Sequence, residues 1–391
     1  MKRKILGILM ILVIITLNIG IASVDDEYSS SLVESNNELA EASEIENLKP
    51  EKGIVTEILK EVETNTNAFG LEGECKVQYV EIEVTKGPHK GQKIYFENRI
   101  DSSFVVNLNL KKGSRVLVFI EDKEDGSIEG YVSELQRDHI LLILIIAFLI
   151  VLLIVGKIKG LKAFLMLLLT GVVIWKIYIP MLLKGFDPIL LSIFSLTIIT
   201  IITLVVISGL NKKTLVAIIG TLGGLIIAGV LAIVVGNLAQ LTGLGNEEAQ
   251  MLNFIPQDIQ LNYRGLLFSG ILIGALGAVM DVSMSVASAT YEMFQLNPDI
   301  SKKQLFSSGL NVGRDVMGTM SNTLILAYTG GALPLLLLFQ AHSISNVEMI
   351  NREMIASEVV RALTGSIGLI LTVPITAFIA AIIYSKKKQK L

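Results

Sequence analysis

The residues whose types and spacing could do chemistry in this chain are acids, hydroxyls and glycines set inside apolar runs. Counted in three- and four-residue steps, Gly270, Gly274, Gly277, Asp281, Ser285, Ser288 and Glu292 share one narrow helix face. A second face carries Asp315, Gly318, Thr319, Asn322 and Thr329, with Arg314 beside it, and a third carries Arg361, Thr364, Gly365, Gly368 and Thr372. An ionisable group at membrane depth costs at least about 2.5 kcal/mol on insertion scales, so Asp281 is expected to face protein or water and not lipid. Such an acid can relay a proton or an ion, with Ser285, Thr319 and Asn322 as hydrogen-bonding partners. The plainer reading makes it glue between helices, bonded to neighbouring Ser and Asn side chains. Gly270, Gly274, Gly277, Gly365 and Gly368 are expected to let helices pack closely.

Other chemistry is poorly supported. There is no His-Glu-x-x-His zinc motif, no Gly-x-Ser-x-Gly elbow and no Gly-x4-Gly-Lys phosphate loop. An intramembrane aspartyl pair of Asp281 and Asp315 would lack its usual Gly-x-Gly-Asp context, since the chain reads Ala278-Val-Met-Asp281. Met280, Met284, Met293, Met317 and Met320 gather near the same region, but no Cys or His joins them, so they read as packing and not as a soft-metal site. No metal and no cofactor is expected. Cys75 is the only cysteine, which excludes a disulfide framework and suggests a small buried hydrophobe. His89, between Pro88 and Lys90 in a turn, reads as a solvated loop residue.

The elements that must position these residues are membrane helices. Of 391 residues, 52% are hydrophobic and 18% charged, against about 25% charged in an ordinary soluble domain. Uncharged runs long enough to cross the hydrocarbon make the lipid bilayer the solvent. Seven spans are expected, at 140–156, 161–183, 189–209, 214–241, 265–291, 316–339 and 359–384, within a membrane domain at 139–384. The first four are mostly apolar, with Gly220, Gly223, Gly224 and Gly229 allowing close packing in the last of them. The polar faces fall in the last three, which makes 265–384 the functional half. The net charge of −3 and the placement of Lys and Arg in short clusters beside helices argue against a nucleic-acid partner.

Those clusters, at Lys157, Lys159 and Lys162, at Lys212 and Lys213, at Lys302, Lys303 and Arg314, and in the basic tail 385–391, fall at alternate turns and assign them and the C-terminus to the cytoplasm. Lys176, the one lysine inside a span, is near enough to its outer end to reach the interface. Residues 1–23 have the charged start and short apolar run of a signal peptide or a signal-anchor helix. An acidic tether follows at 24–52. Between 53 and 138, short β-branched segments at 53–59, 77–85, 93–100, 104–108, 115–121 and 129–135, punctuated by turns at 87–91, 111–113 and 124–126, suggest a small barrel outside the cytoplasm. It would be of the oligonucleotide/oligosaccharide-binding (OB) type, which implies no ligand by itself. The fold expected is thus a polytopic α-helical membrane protein of seven spans with an extracytoplasmic all-β domain.

Two segments carry a resemblance: Gly274-Ala-Leu-Gly-Ala-Val-Met-Asp-Val-Ser-Met-Ser-Val-Ala-Ser-Ala-Thr-Tyr-Glu292, and Ser308-Gly-Leu-Asn-Val-Gly-Arg-Asp-Val-Met-Gly-Thr-Met-Ser-Asn-Thr-Leu-Ile-Leu-Ala-Tyr-Thr-Gly330. With Asn351-Arg-Glu353, Glu358-Val-Val-Arg361 and Gly365-Ser-Ile-Gly-Leu-Ile-Leu-Thr-Val-Pro-Ile-Thr376, they resemble the YibE/F family of bacterial multi-pass membrane proteins. The resemblance implies a cell-membrane location and an architecture more than an activity. It also implies a shorter, membrane-only relative as a partner, with a homo-oligomer as the alternative. Two functions are expected to compete: a permease or transporter component, proton or ion coupled, with a polar path through the last three helices, and a scaffold or sensor whose outer β domain binds a cell-envelope partner.

Overall fold

The computed structural model describes residues 49–68, 71–101, 108–122, 128–255 and 259–384. The N-terminal segment, the tether up to residue 48, nearly all of the strand expected at 104–108, the turn at 124–126, the side chain of Cys75 and the basic tail lie outside the described residues. The chain divides into two compact units, Val24–Ile150 and Val151–Leu391.

In the first unit, β1 (Glu51–Ala68), β2 (Leu71–Lys86), β3 (Lys93–Asp101), β4 (Arg115–Asp122) and β5 (Ile128–Leu135) form one antiparallel sheet in the order β3-β2-β1-β4-β5. Alternation dictates its core. Val80, Ile82 and Val84 on β2, Ile94 and Phe96 on β3, and Val116, Val118 and Ile120 on β4 all turn inward and are buried, each contributing about 1.5–3 kcal/mol. The edge strands approach each other where Phe96 packs against Gly130; a Cβ on Gly130 would stand 2.7 Å from the Phe96 ring. Buried Gln78 is fully engaged: its amide donates to Glu61 Oε1 (2.7 Å) and the Leu110 carbonyl (3.3 Å), and its Oε1 accepts from Leu110 N (3.1 Å) and Asn98 Nδ2 (3.0 Å). The turns fall where glycine permits them, with φ +135° at Gly87, +87° at Gly91 and +87° at Gly113. β1 outruns the expected 53–59 segment, because its second half, polar and without apolar alternation, is held by the ladder to β2 and not by a core.

The second unit is helical: α1 (Asp138–Val173), which begins in the first unit and runs on through Ile174–Tyr178 and Ile179–Leu182, α2 (Pro188–Ser208), α3 (Lys212–Leu238), short α4 (Glu247–Met251), α5 (Tyr263–Leu296), α6 (Lys302–Gly331), α7 (Leu333–Ala341), α8 (Asn346–Asn351) and α9 (Glu353–Tyr384). Among the described residues, five stretches are long and apolar enough to cross a membrane, or six if α6 and α7, bent by 56° at their junction, make one span. This is a helical membrane protein with a small β domain. Side-chain caps start the helices where the sequence supplies them: Asp187 for α2, Asn211 for α3, Asn262 for α5 and Ser301, in a capping box with Gln304, for α6.

The expected spans at 140–156 and 161–183 join in one run broken at Lys157, whose φ of 48° and ψ of −130° are not helical. Gly160 sits where a Cβ would strike the Leu152 carbonyl. Residues eight apart on an unbroken helix are about 12 Å apart, so the chain doubles back at Lys157. The helix expected at 316–339 instead starts at Lys302 and breaks after Gly331, because the capping box nucleates it early and Pro334 lies just inside the bent continuation.

Candidate functional site

The site is built on α5, α6 and α9, and burial sorts their faces. On α5 the inward side is Phe268, Ile271, Leu272, Ala275, Val279, Val282, Ser283, Val286 and Thr290. Gly270, Gly274, Gly277, Asp281, Ser285 and Glu292 are exposed, and Ser288 is half-buried. The stripe therefore points out of the helix bundle, near the middle of the helix at Asp281. On α6, Leu305, Gly309, Gly313 and Leu324 are buried, whereas Arg314, Asp315, Gly318, Thr319 and Asn322 are exposed. Asp281, Ser285, Asp315 and Asn322 have no side-chain hydrogen-bond or ion-pair partner among the described residues. Thr319 Oγ1 donates to the Val316 carbonyl of its own helix (3.0 Å), and Arg314 reaches Asn311 Oδ1 (3.3 Å), not Asp315.

The two exposed faces are neighbours. The Tyr328 hydroxyl lies over Gly274, and Thr290 Cγ2 would be 2.8 Å from a Cβ on Gly309. Between these two contacts the antiparallel helices bring Asp281 roughly level with Thr319, and Ser285 with Asp315. Asp281 and Asp315 are thus offset by about 6 Å, one turn. Gly270, Gly277 and Gly318 would place a Cβ within 4 Å of nothing, so within one chain they pack no helix. Gly274, Gly365 and Gly368 do: a Cβ on Gly365 would stand 3.3 Å from Leu324 Cδ2, and one on Gly368 would stand 2.6 Å from Ala228 Cβ.

The third face behaves differently, since Thr364, Gly365, Gly368, Thr372 and Thr376 of α9 turn inward. There they meet α3 and α5 in a buried seam of small residues. Ser283 Oγ donates to the Ala217 carbonyl (2.8 Å) and lies 3.2 Å from Thr376 Oγ1, and Thr372 Oγ1 donates to the Gly368 carbonyl (2.8 Å). Gly220 makes room for Ser283 and Thr376, and Gly224 for Thr372. These hydroxyls thereby find partners at short range. Ser283 gave no signal in the sequence beyond being a small hydroxyl one helix face away from the stripe, whereas Thr376 lies four residues after Thr372 and continues the third face.

At the Glu353 end of α9, Arg361 is apart from Asp281. Its Nη1 holds Glu358 Oε1 at 2.8 Å. Glu353, also not foreseen, braces the preceding loop, accepting from Thr242 N (2.7 Å), Thr242 Oγ1 (2.9 Å) and Gly243 N (2.9 Å).

The β domain holds a second constellation. His89 is not the solvated loop residue expected from its neighbours: its Nδ1 lies 2.6 Å from Glu51 Oε1, its backbone N donates to Glu51 Oε2 (3.1 Å), and its Nε2 lies 3.1 Å from both Asp122 oxygens. The hydrogen bond to buried Glu51 raises its pKa above the usual histidine value, burial opposes, and the bond to Asp122 adds to the rise. Sequence distance hid this cluster, because its members lie 38 and 33 residues from His89. Among the described residues no group of three or more His, Cys, Asp or Glu side chains could hold a metal ion.

Apolar helices with a polar outward face, joined in sequence to a five-stranded β domain, define a class of polytopic membrane protein. Residues 144–386 match the YibE/F-like protein family and residues 47–135 match the YibE/F family N-terminal domain, and the chain belongs to the YibE/F family. No curated protein and no solved structure is significantly similar to it.

Proposed function

We propose that the chain is a component of a proton- or ion-coupled permease, with Asp281 as the relay group of a polar path along α5 and α6. One observation carries this reading: a carboxylate stands exposed at mid-helix, without a partner among the described residues, and about level with Thr319 of the next helix. Facing lipid there would cost at least about 2.5 kcal/mol, so the face is to be covered by water and protein. A second copy of this chain is the occupant that fits best. The face carries acceptors at Asp281 and Asp315 and donors at Ser285, Thr319, Asn322 and Arg314, which makes it self-complementary across a two-fold axis. Gly270, Gly277 and Gly318 leave room for a foreign backbone to come close. The path is then walled by two chains.

In this reading the break at Lys157 divides α1 into two spans and makes seven among the described residues. The lysines beside it, with those at 212, 213, 302 and 303, lie in the cytoplasm, and the β domain, whose strand order suits an OB-like barrel, lies outside the cell membrane. The experiment is flux into proteoliposomes under an imposed proton gradient. Asp281→Asn should abolish proton-coupled flux while the protein still assembles, and unchanged flux would end the permease reading.

A second reading, a scaffold or sensor whose β domain binds a cell-envelope partner, is favoured by exposed aromatics on the sheet. Tyr79 and Tyr95 lie on adjacent strands, in register with Glu97 and Glu81, and are 39% and 64% exposed. Exposed tyrosines so placed suit stacking on a polymer or a partner surface. Deleting 25–138 would then abolish the cellular phenotype while Asp281→Asn stays silent.

A further inference from the structure

A cavity of about 340 Å³ opens between the end of α6, the start of α7, the 243–246 loop and the first turns of α9, a size at the lower end of small-ligand sites. Glu358 and Arg361, joined by their ion pair, line it. Two further polar atoms of its lining residues, Arg361 Nε and the Tyr328 hydroxyl, are buried with no hydrogen-bond partner among the described residues. Leaving a buried polar group unmatched costs about 1–3 kcal/mol. A single oxyanion satisfies a guanidinium edge and a phenol together, and the planar fork of Arg suits carboxylate and phosphate oxygens. Glu358 uses Oε1 for Arg361 and has Oε2 to spare among the described residues.

The remaining lining combines apolar Leu267, Leu335 and Met354 with small residues and with polar Asn246 and Ser357. The rim is braced before any ligand arrives. Glu353 ties down Thr242 and Gly243, and Arg264 donates to the Leu241 carbonyl (2.8 Å) and to Asn237 Oδ1 (3.0 Å). A site fixed in this way loses little ordering entropy on binding.

We propose that this cavity binds a zwitterion, with its oxyanion at Arg361 Nε and the Tyr328 hydroxyl, its ammonium at Glu358, and its apolar part against Leu267, Leu335 and Met354. A purely anionic ligand is opposed by Glu358 and a purely cationic one by Arg361. The chemistry is common to a free aliphatic α-amino acid and to a lipid head group that joins a phosphate to a primary amine. It does not depend on the path along α5 and α6.

The test follows the thermal unfolding midpoint of the full chain in phosphatidylcholine nanodiscs. L-leucine added in solution, or phosphatidylethanolamine built into the disc, raises the midpoint saturably, and which of the two acts identifies the source. Acetate or ethylamine alone gives far less. Arg361→Gln and Glu358→Gln each weaken the response about tenfold or more. Tyr328→Phe weakens it without lowering the unliganded midpoint, because the hydroxyl makes no bond to lose, so this variant decides the matter if the charge changes impair folding. No response to either probe, or a response untouched in Arg361→Gln and Tyr328→Phe, overturns the proposal. A leucine or lipid response that persists in Asp281→Asn, with or without flux, keeps this site separate from the permease reading.

Discussion

Glu51, His89 and Asp122 join the start of β1, the turn before β3 and the end of β4, so one imidazole ties three parts of the β domain. Because both flanking groups are carboxylates, the tie is strongest with His89 charged. Its folded pKa lies above the ordinary value, so the stability it adds is fully present below about pH 6.5 and fades as pH rises through the folded pKa. A titration of the His89 ring by NMR in the full chain should show a midpoint above about 6.5, lowered in Glu51→Gln. A midpoint at or below the ordinary value would remove the tie from any account of stability. Glu81 has the opposite sign. Hydrogen bonds from Lys93 and Thr56, with Tyr95 adding to them, pull its carboxyl down to about 2, so its contribution is complete above about pH 4.5 and lost as pH falls through about 2. Lys93→Met should therefore raise the acid-unfolding midpoint of the β domain, seen by circular dichroism of the full chain. No change would mean that Thr56 and Tyr95 alone suffice to hold the carboxylate.

At the scale of elements, two glycines of similar sequence context should respond in opposite ways. Gly224 of α3 is filled by Thr372 and the Gly368 carbonyl, so Gly224→Ala forces α3 and α9 apart and should cost about 1–3 kcal/mol. Gly277 of α5 has nothing within 4 Å, and alanine there favours the helix by up to about 1 kcal/mol. Unfolding midpoints of monomeric protein in detergent should fall for Gly224→Ala and hold or rise for Gly277→Ala. A matching fall in both would place Gly277 in a contact within the chain. The periodicity of α5 was plain from residue spacing, and so were the starts of α2, α3 and α5, which lie within two residues of expectation because Asp187, Asn211 and Asn262 cap them. Which face turns inward was not legible. A helix in lipid is apolar all round, so hydrophobicity does not mark its interior side, and the stripe from Gly270 to Glu292 reads alike as a packing groove or as an outward surface. The same limit hid that the Thr372 face turns inward and that Ser283 and Thr376 meet there. In the β domain the core strands were legible because water on one face enforces alternation, whereas the polar half of β1 has no such pattern.

For the whole molecule, the single chain is an incomplete unit in a bilayer under the permease proposal, because its outward polar face would then need a cover. A pair of copies related by a two-fold axis would bury the α5 and α6 stripes against their equivalents and remove Asp281 from lipid, and it would place each residue on that axis beside its own counterpart. Cysteine chemistry reads this directly, since Cys75 is the only native cysteine and lies far along the chain from the face. In a Cys75→Ser background, Ser285→Cys and Thr319→Cys should form copper-phenanthroline-catalysed disulfide dimers in membranes. Thr197→Cys, on an α2 surface that the two-fold pairing leaves in lipid, should not. Disulfide geometry requires Cα atoms within about 7 Å, so the efficiency across the consecutive positions 284 to 288 should peak once per helical turn and fix the side of α5 nearest the axis. Equal yields at Ser285 and Thr197 would indicate random collision. No dimer at Ser285 or Thr319, with a larger heteromeric product recovered from the cell membrane in its place, would assign the covering surface to a different chain, such as a shorter membrane-only relative, and leave the need for a cover unchanged. Adding Asp281→Leu to the Ser285→Cys variant separates burial from chemistry: if the partner only shields the acid from lipid, leucine removes the need and the dimer yield drops, whereas packing through Gly270, Gly277 and Gly318 would keep the pair together.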